Sequence, residues 1–178
     1  ELYQGELHGY GIEKDINNHL VYEGNFLIGK RNGQGILYLE NCSLNGVFKE
    51  NTYVSGTITY KDGTKYIGNL SSLKKSDGKN NNGTIVFSNG DKYVGGFDNQ
   101  RMNGWGAYTW ANGDKISCSF YYGDILGTGT WTFKMKNGQV NYKTGYFQRS
   151  SNKVSISFDD EVTKEHQTIW GPNSTNPF

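Results

Sequence analysis

No stretch of this 178-residue chain approaches 18 consecutive apolar residues, so the sequence predicts no membrane-spanning helix. No charged start followed by an apolar core opens it, so no secretory signal is legible. There are 2 cysteines, Cys42 and Cys118. They read as reduced thiols of a cytosolic or nuclear protein, with pairing as the alternative. The 3 histidines, His8, His19 and His166, lie far apart. No Cys/His spacing suits zinc, and no Gly-x-x-x-x-Gly-Lys-Ser/Thr phosphate loop exists. Asp159-Asp160-Glu161 reads as a solvated turn or helix start. The formal charge is +1, which gives no global field to attract nucleic acid or an anionic membrane. A convergent acid, base or metal set is therefore missing. The expectation is a chain with no catalytic residues, no metal and no cofactor.

What the chain has is glycine and large aromatics: 25 Gly, 13 Tyr and 9 Phe. That composition favours aromatic strands joined by turns over helices. The aromatics recur in order. Tyr22, Leu44, Tyr66, Tyr93, Ile116 and Lys143 mark successive units. Two positions later stand Gly24, Gly46, Gly68, Gly95, Cys118 and Gly145. Two further on come Phe26, Phe48, Leu70, Phe97, Phe120 and Phe147. A step of two puts all three on one face of a strand.

A loop is expected next, and then a second strand opening at Gly35, Gly56, Gly83, Gly106 or Gly129. Its second and fourth residues beyond the glycine are bulky: Leu37/Leu39, Ile58/Tyr60, Ile85/Phe87, Tyr108/Trp110 and Trp131/Phe133. The alternate positions are largely Thr. That alternation describes a half-buried antiparallel strand. Asp62-Gly63, Asn89-Gly90, Asn112-Gly113 and Asn137-Gly138 follow, and suit tight hairpin turns. The longer intervals are assigned to a polar insert at Lys74–Asn82 and a longer turn at Gln139–Tyr142. Glycine inside a strand costs about 0.5–1 kcal/mol. The expected compensation is a neighbouring ring filling the space it leaves.

Tyr-x-Gly-x-Phe followed by Asn-Gly-x-Gly, clearest in Tyr22–Cys42 and Tyr93–Lys115, resembles the MORN (membrane occupation and recognition nexus) repeat. The resemblance runs from Tyr22 to about Phe147. It weakens at Leu44, where the loop is one residue shorter, and at Cys118, which replaces Gly. Tyr3–Gly11 looks like a shortened unit at an edge. The chain opens inside a repeat at Glu1, so a fragment of a longer protein is expected.

The resemblance implies an all-β fold: an elongated, twisted single antiparallel sheet of stacked hairpins over residues 1–147. Residues 148–178 would form a cap and tail. The cap reads either as a short helix begun by Asp160 and stopped by Gly171-Pro172, or as a final strand at Val154–Phe158. The functional expectation is a scaffold that binds a helix, an extended peptide or a second copy in an aromatic trough, through Tyr108, Trp110, Trp131 and Phe133.

MORN arrays also serve as accessory modules of SET-domain histone-lysine methyltransferases and phosphatidylinositol phosphate kinases. Here any catalytic domain would lie outside the chain. Direct binding of phospholipid phosphates is the third reading, through Lys30, Arg31, Lys74, Lys75 and Arg101. No direct contact with nucleic acid is expected. The implied compartment is the cytoplasm, at cytoskeleton or membrane, or the nucleus for a methyltransferase.

Overall fold

The computed structural model describes residues 1–69, 81–98, 100–150 and 153–158. All elements in them are strands; no helix occurs among the described residues. The chain divides into two compact units, Glu1–Ser71 and Ser72–Phe178. The first holds β1 (Leu2–Tyr3), β2 (Glu6–Leu7), β3 (Gly9–Lys14), β4 (Leu20–Leu27), β5 (Lys30–Tyr38), β6 (Cys42–Lys49), β7 (Thr52–Tyr60) and β8 (Lys65–Asn69). The second holds β9 (Asn81–Val86), β10 (Lys92–Asp98), β11 (Arg101–Thr109), β12 (Lys115–Tyr121), β13 (Asp124–Lys134), β14 (Val140–Ser150) and β15 (Lys153–Phe158). β3 to β8, and β9 to β15, pair in chain order as consecutive antiparallel hairpins; β1 and β2 pair separately. Neither run closes into a barrel.

The register lines up one glycine from nearly every strand. In the first unit the row is Gly11, Gly24, Gly35, Gly46, Gly56 and Gly68. In the second it is Gly83, Gly95, Gly106, Cys118, Gly129 and Gly145. On β15, Phe158 stands opposite Gly145 and ends the row.

A tyrosine lies along each well-formed row. A Cβ added at Gly35 would meet the Tyr22 ring, and one at Gly106 the Tyr93 ring. The Tyr22 hydroxyl donates to the Asn25 carbonyl at 3.2 Å, and that of Tyr66 to Asn69 at 3.1 Å. The ring that fills the space thus comes from the glycine's own hairpin. The next hairpin adds a phenylalanine edge-on: Phe48 against Tyr22 at 5.1 Å and Phe120 against Tyr93 at 4.9 Å. Edge-to-face pairs of this kind add about 0.5–1.5 kcal/mol beyond area burial. Tyr22, Tyr66 and Tyr93 are all 0% exposed.

The connections differ from expectation at both ends of the strands. Where a loop was expected after Phe26, Phe48 and Phe120, a two-residue turn stands, and β5, β7 and β13 start directly behind it at Lys30, Thr52 and Asp124. Ile28-Gly29 (φ 48°, 70°), Glu50-Asn51 (47°, 68°) and Tyr122-Gly123 (48°, 93°) all have positive φ at both residues, as a type I′ turn demands.

The Asn-Gly-x-Gly motif, with Leu126 in place of Asn on β13, lies within the following strand as a bulge. Its first glycine takes positive φ, 96° at Gly33, 80° at Gly104 and 98° at Gly127, and its second joins the row. The shorter unit at Leu44 has Val54-Ser55-Gly56 here, with no such first glycine.

The Asx-Gly sites make three-residue turns in which only Gly63, Gly90, Gly113 and Gly138 have positive φ. In each, the amide before the turn bonds the residue after it, as Tyr60 to Thr64 and Trp110 to Asp114. That is a type I turn closed by a left-handed glycine. The turn at Asn137-Gly138 has the same length as the others. The long interval there is absorbed by the adjoining ends of both β13 and β14, which stay paired out to Lys134 and Val140, not by a longer turn. Leu39, expected on the buried face, falls just past β5 and is exposed. At the C-terminal end the strand alternative forms, as β15. The helix expected after Asp160 lies outside the described residues.

Candidate functional site

The middle residue of each three-residue turn is an aspartate or asparagine whose side chain accepts the amide two residues on. Asp62 does so for Thr64, Asn89 for Asp91, Asn112 for Asp114 and Asn137 for Gln139, at 2.8–3.0 Å. In the second unit the residue so fixed is twice an aspartate, and each aspartate reaches the next hairpin. Asp91 Oδ1 accepts the Ala111 amide at 2.8 Å, and Asp114 Oδ1 the Lys134 amide at 3.2 Å. Asp91 Oδ2 accepts the Tyr108 hydroxyl at 2.5 Å and Asn89 Nδ2 at 3.0 Å. Asp91 is 4% exposed, and every oxygen has a donor, as a buried carboxylate requires.

These aspartates share a line with aromatics. Turn bonds and register place Phe87, Asp91, Trp110, Asp114, Phe133 and Asn141 side by side on successive strands. Because strand faces alternate, all six lie on the face of Tyr93 and the glycine row. Phe87, Trp110, Asp114 and Phe133 are half-buried. In the first unit the comparable line reads Leu39, Cys42, Tyr60 and Thr64. The alternation of aromatic and acid therefore belongs to the second unit.

Of the four aromatics expected to contact a partner, two belong to the core. Tyr108 is 2% exposed and packs between Phe87 at 5.7 Å and Trp110 at 5.2 Å. Its phenol is pushed to a higher pKa by burial and then by the hydrogen bond to Asp91. Trp131 is 9% exposed and stacks on Phe133 at 4.3 Å. Trp110 and Phe133 retain open surface, and Phe87 completes their line. The clue to Asp91 and Asp114 was present as Asn-Gly-Asp recurring 23 residues apart.

Arg31 is held inside its sheet: Nε and Nη2 donate to the Glu13 carboxylate at 3.0 and 2.9 Å, and the guanidinium lies 5.1 Å from the Tyr22 ring centre. The same pairing accounts for Glu13, which breaks the bulky pattern of the first unit. Lys30 lies 3.9 Å from Glu50 at the surface, a pair worth little in water. Lys30 and Arg101 are the exposed first residues of β5 and β11. Lys74 and Lys75 lie outside the described residues.

Both cysteines are free. Burial pushes the Cys118 thiol up to about 12. Among the described residues no group of three or more His, Cys, Asp and Glu is placed to hold a metal ion, and no helix is long and apolar enough to cross a membrane. Compared with known proteins, the chain matches no family model and no curated sequence.

Proposed function

We propose that this chain is a MORN-type repeat module that works by binding a protein segment on the aromatic face of its second unit. The observation that carries the reading is the line of half-buried rings, Phe87, Trp110 and Phe133, beside a fully packed tyrosine layer. Rings needed only for the core would be closed over, as Tyr93 and Tyr108 are. Apolar surface left open beside a finished core marks an interaction site.

The two tryptophans give the test. With Trp105 and Trp170 replaced by Phe, emission comes from Trp110 and Trp131. Acrylamide, a neutral quencher unaffected by the neighbouring aspartates, should reach Trp110 and not Trp131. Single Trp→Phe variants assign the two signals. If Trp110 is as shielded as Trp131, the face is core and the reading fails. The search then moves to the corners around Lys30, Lys74-Lys75 and Arg101, where a phospholipid headgroup would be the ligand.

A further inference from the structure

We infer that the segment bound by this face is a proline-rich, basic stretch in the polyproline II conformation, crossing the strands of the second unit along the line Phe87–Trp110–Phe133. This rests on the binding role proposed above and names the chemistry of the partner.

The spacing carries the argument. Phe87 and Trp110 stand just past the ends of β9 and β11, and Phe133 stands on β13, so one strand separates each from the next. Neighbouring strands lie about 4.8 Å apart, which puts the rings about 9.6 Å apart along a line perpendicular to the strands. A polyproline II helix rises about 3.1 Å per residue with three residues per turn, so one face repeats every 9.3 Å or so. Over two steps the ligand falls short by only about 0.6 Å. An α-helix repeats a face after two turns, about 10.8 Å, and slips by about 2.4 Å over the same span. An extended strand presents one face every 6.6 Å or so and meets the rings out of phase. Aromatic-lined grooves are the known habit of proline-rich recognition, because the preformed helix loses little entropy on binding.

Charge supplies the second requirement. Asp91 lies between Phe87 and Trp110, and Asp114 between Trp110 and Phe133. Neither makes an ion pair among the described residues. Lys92 and Lys115 follow them directly and therefore point to the opposite face. Asp114 is half-buried and offers its charge between Trp110 and Phe133, while the buried Asp91 adds its negative field between Phe87 and Trp110; together they favour a ligand with Lys or Arg between its prolines.

The experiment uses the full chain with Trp105 and Trp170 replaced by Phe, and a synthetic peptide repeating Pro-Pro-Lys. A peptide repeating Ala-Ala-Lys, which favours helix, and one repeating Gly-Ser-Lys, which is flexible, carry the same charge. The expected result is a severalfold drop in acrylamide quenching of Trp110 with Pro-Pro-Lys alone. Added salt should weaken the effect, and so should Asp114→Asn, which keeps the acceptor for the Lys134 amide while removing the charge. Equal shielding by all three peptides would show simple charge attraction and overturn the inference. Shielding by Ala-Ala-Lys alone would overturn it in favour of a helical partner and leave the binding face intact. Shielding by none, with Trp110 still open to acrylamide, also overturns it. Failure of the binding role itself shows earlier, as a Trp110 that the quencher cannot reach without peptide.

Discussion

Tyr93 on β10 lies across Gly106 on β11, with its hydroxyl donating to the Gly96 carbonyl at 2.9 Å. A Cβ at Gly106 would collide with the ring, and one at Gly95 would strike both the Tyr93 ring and the Gly106 backbone at 2.6 Å. The glycines are thus required by a neighbour's bulk, and at Gly95 no turn or positive φ is involved.

Gly95→Val should therefore cost far more than Thr109→Val. The first puts a branched side chain into an occupied layer, where overpacking costs about 1–3 kcal/mol. The second alters a half-buried position on the opposite face, paired with Lys92 and Lys115, and should stay within about 0.5 kcal/mol of the parent. Urea denaturation of the two variants compares them directly. Equal losses would show that the two faces are wrongly assigned.

Much of this was legible in the sequence, because a period of two writes the buried face directly. Tyr22-x-Gly24-x-Phe26 and its copies named the strands, the pairing partners and the core rings. The turns were less legible. Ile28, Glu50 and Tyr122 adopt positive φ although none is glycine or asparagine, and a single Gly29, Asn51 or Gly123 behind each is a weak signal, so a hairpin corner passes for a loop. The site was half legible. Bulk alone ranked Tyr108 and Trp131 with Trp110 and Phe133. Which rings stay open depends on what packs over them, here Phe87 and the Asp91 hydrogen bond, and neither is visible in a strand's own alternation.

Asp91→Ala should be destabilising by about 1–3 kcal/mol, the usual result of stranding buried hydrogen-bonding groups. It would release the Tyr108 hydroxyl, the Ala111 amide and the Asn89 side chain. Asp114→Ala removes one long bond to a backbone amide and one to an exposed asparagine, and should cost under about 1 kcal/mol. A thermal melt of each variant reads the difference. An Asp114 variant as damaged as the Asp91 variant would contradict the unequal burial of the two carboxylates.

Stability should fall on the alkaline side. Burial raises the Cys118 thiol to about 12 and the Tyr53 phenol to about 12, and raises Tyr93 and Tyr108 as well. Each group titrates earlier in the unfolded chain, near pH 9 for the thiol and 10 for the phenols. Between those values and the folded ones the native state holds more protons, so unfolding becomes easier as pH rises. The stabilisation is complete below about pH 9 and drains away above it. Urea midpoints should be flat from pH 7 to 8.5 and decline from pH 9 to 11. The Cys118→Ala variant should show a later onset. A midpoint that rises across that range would reverse the sign and refute the buried, neutral assignment.

Ile28 offers a gain in stability. It is the first residue of the turn between β4 and β5, at φ 48°, and it is 53% exposed. A left-handed backbone costs an ordinary L-residue about 1–2 kcal/mol, and a β-branched one is the least suited to it. Asparagine tolerates this region because its short side chain bonds the local backbone. Ile28→Asn creates Asn-Gly, the preferred pair for a type I′ turn, and gives up little buried apolar area. Stability should rise by about 1 kcal/mol, the lower end of the penalty relieved. Ile28→Val keeps the branch and should gain nothing. Tyr122 sits in the same conformation but reaches back to Asp98 with its hydroxyl at 3.3 Å, so Tyr122→Asn exchanges a contact for relief and should gain less. Denaturation midpoints for the three variants rank them. If Ile28→Asn fails to exceed both others, the strain assigned to this corner is absent.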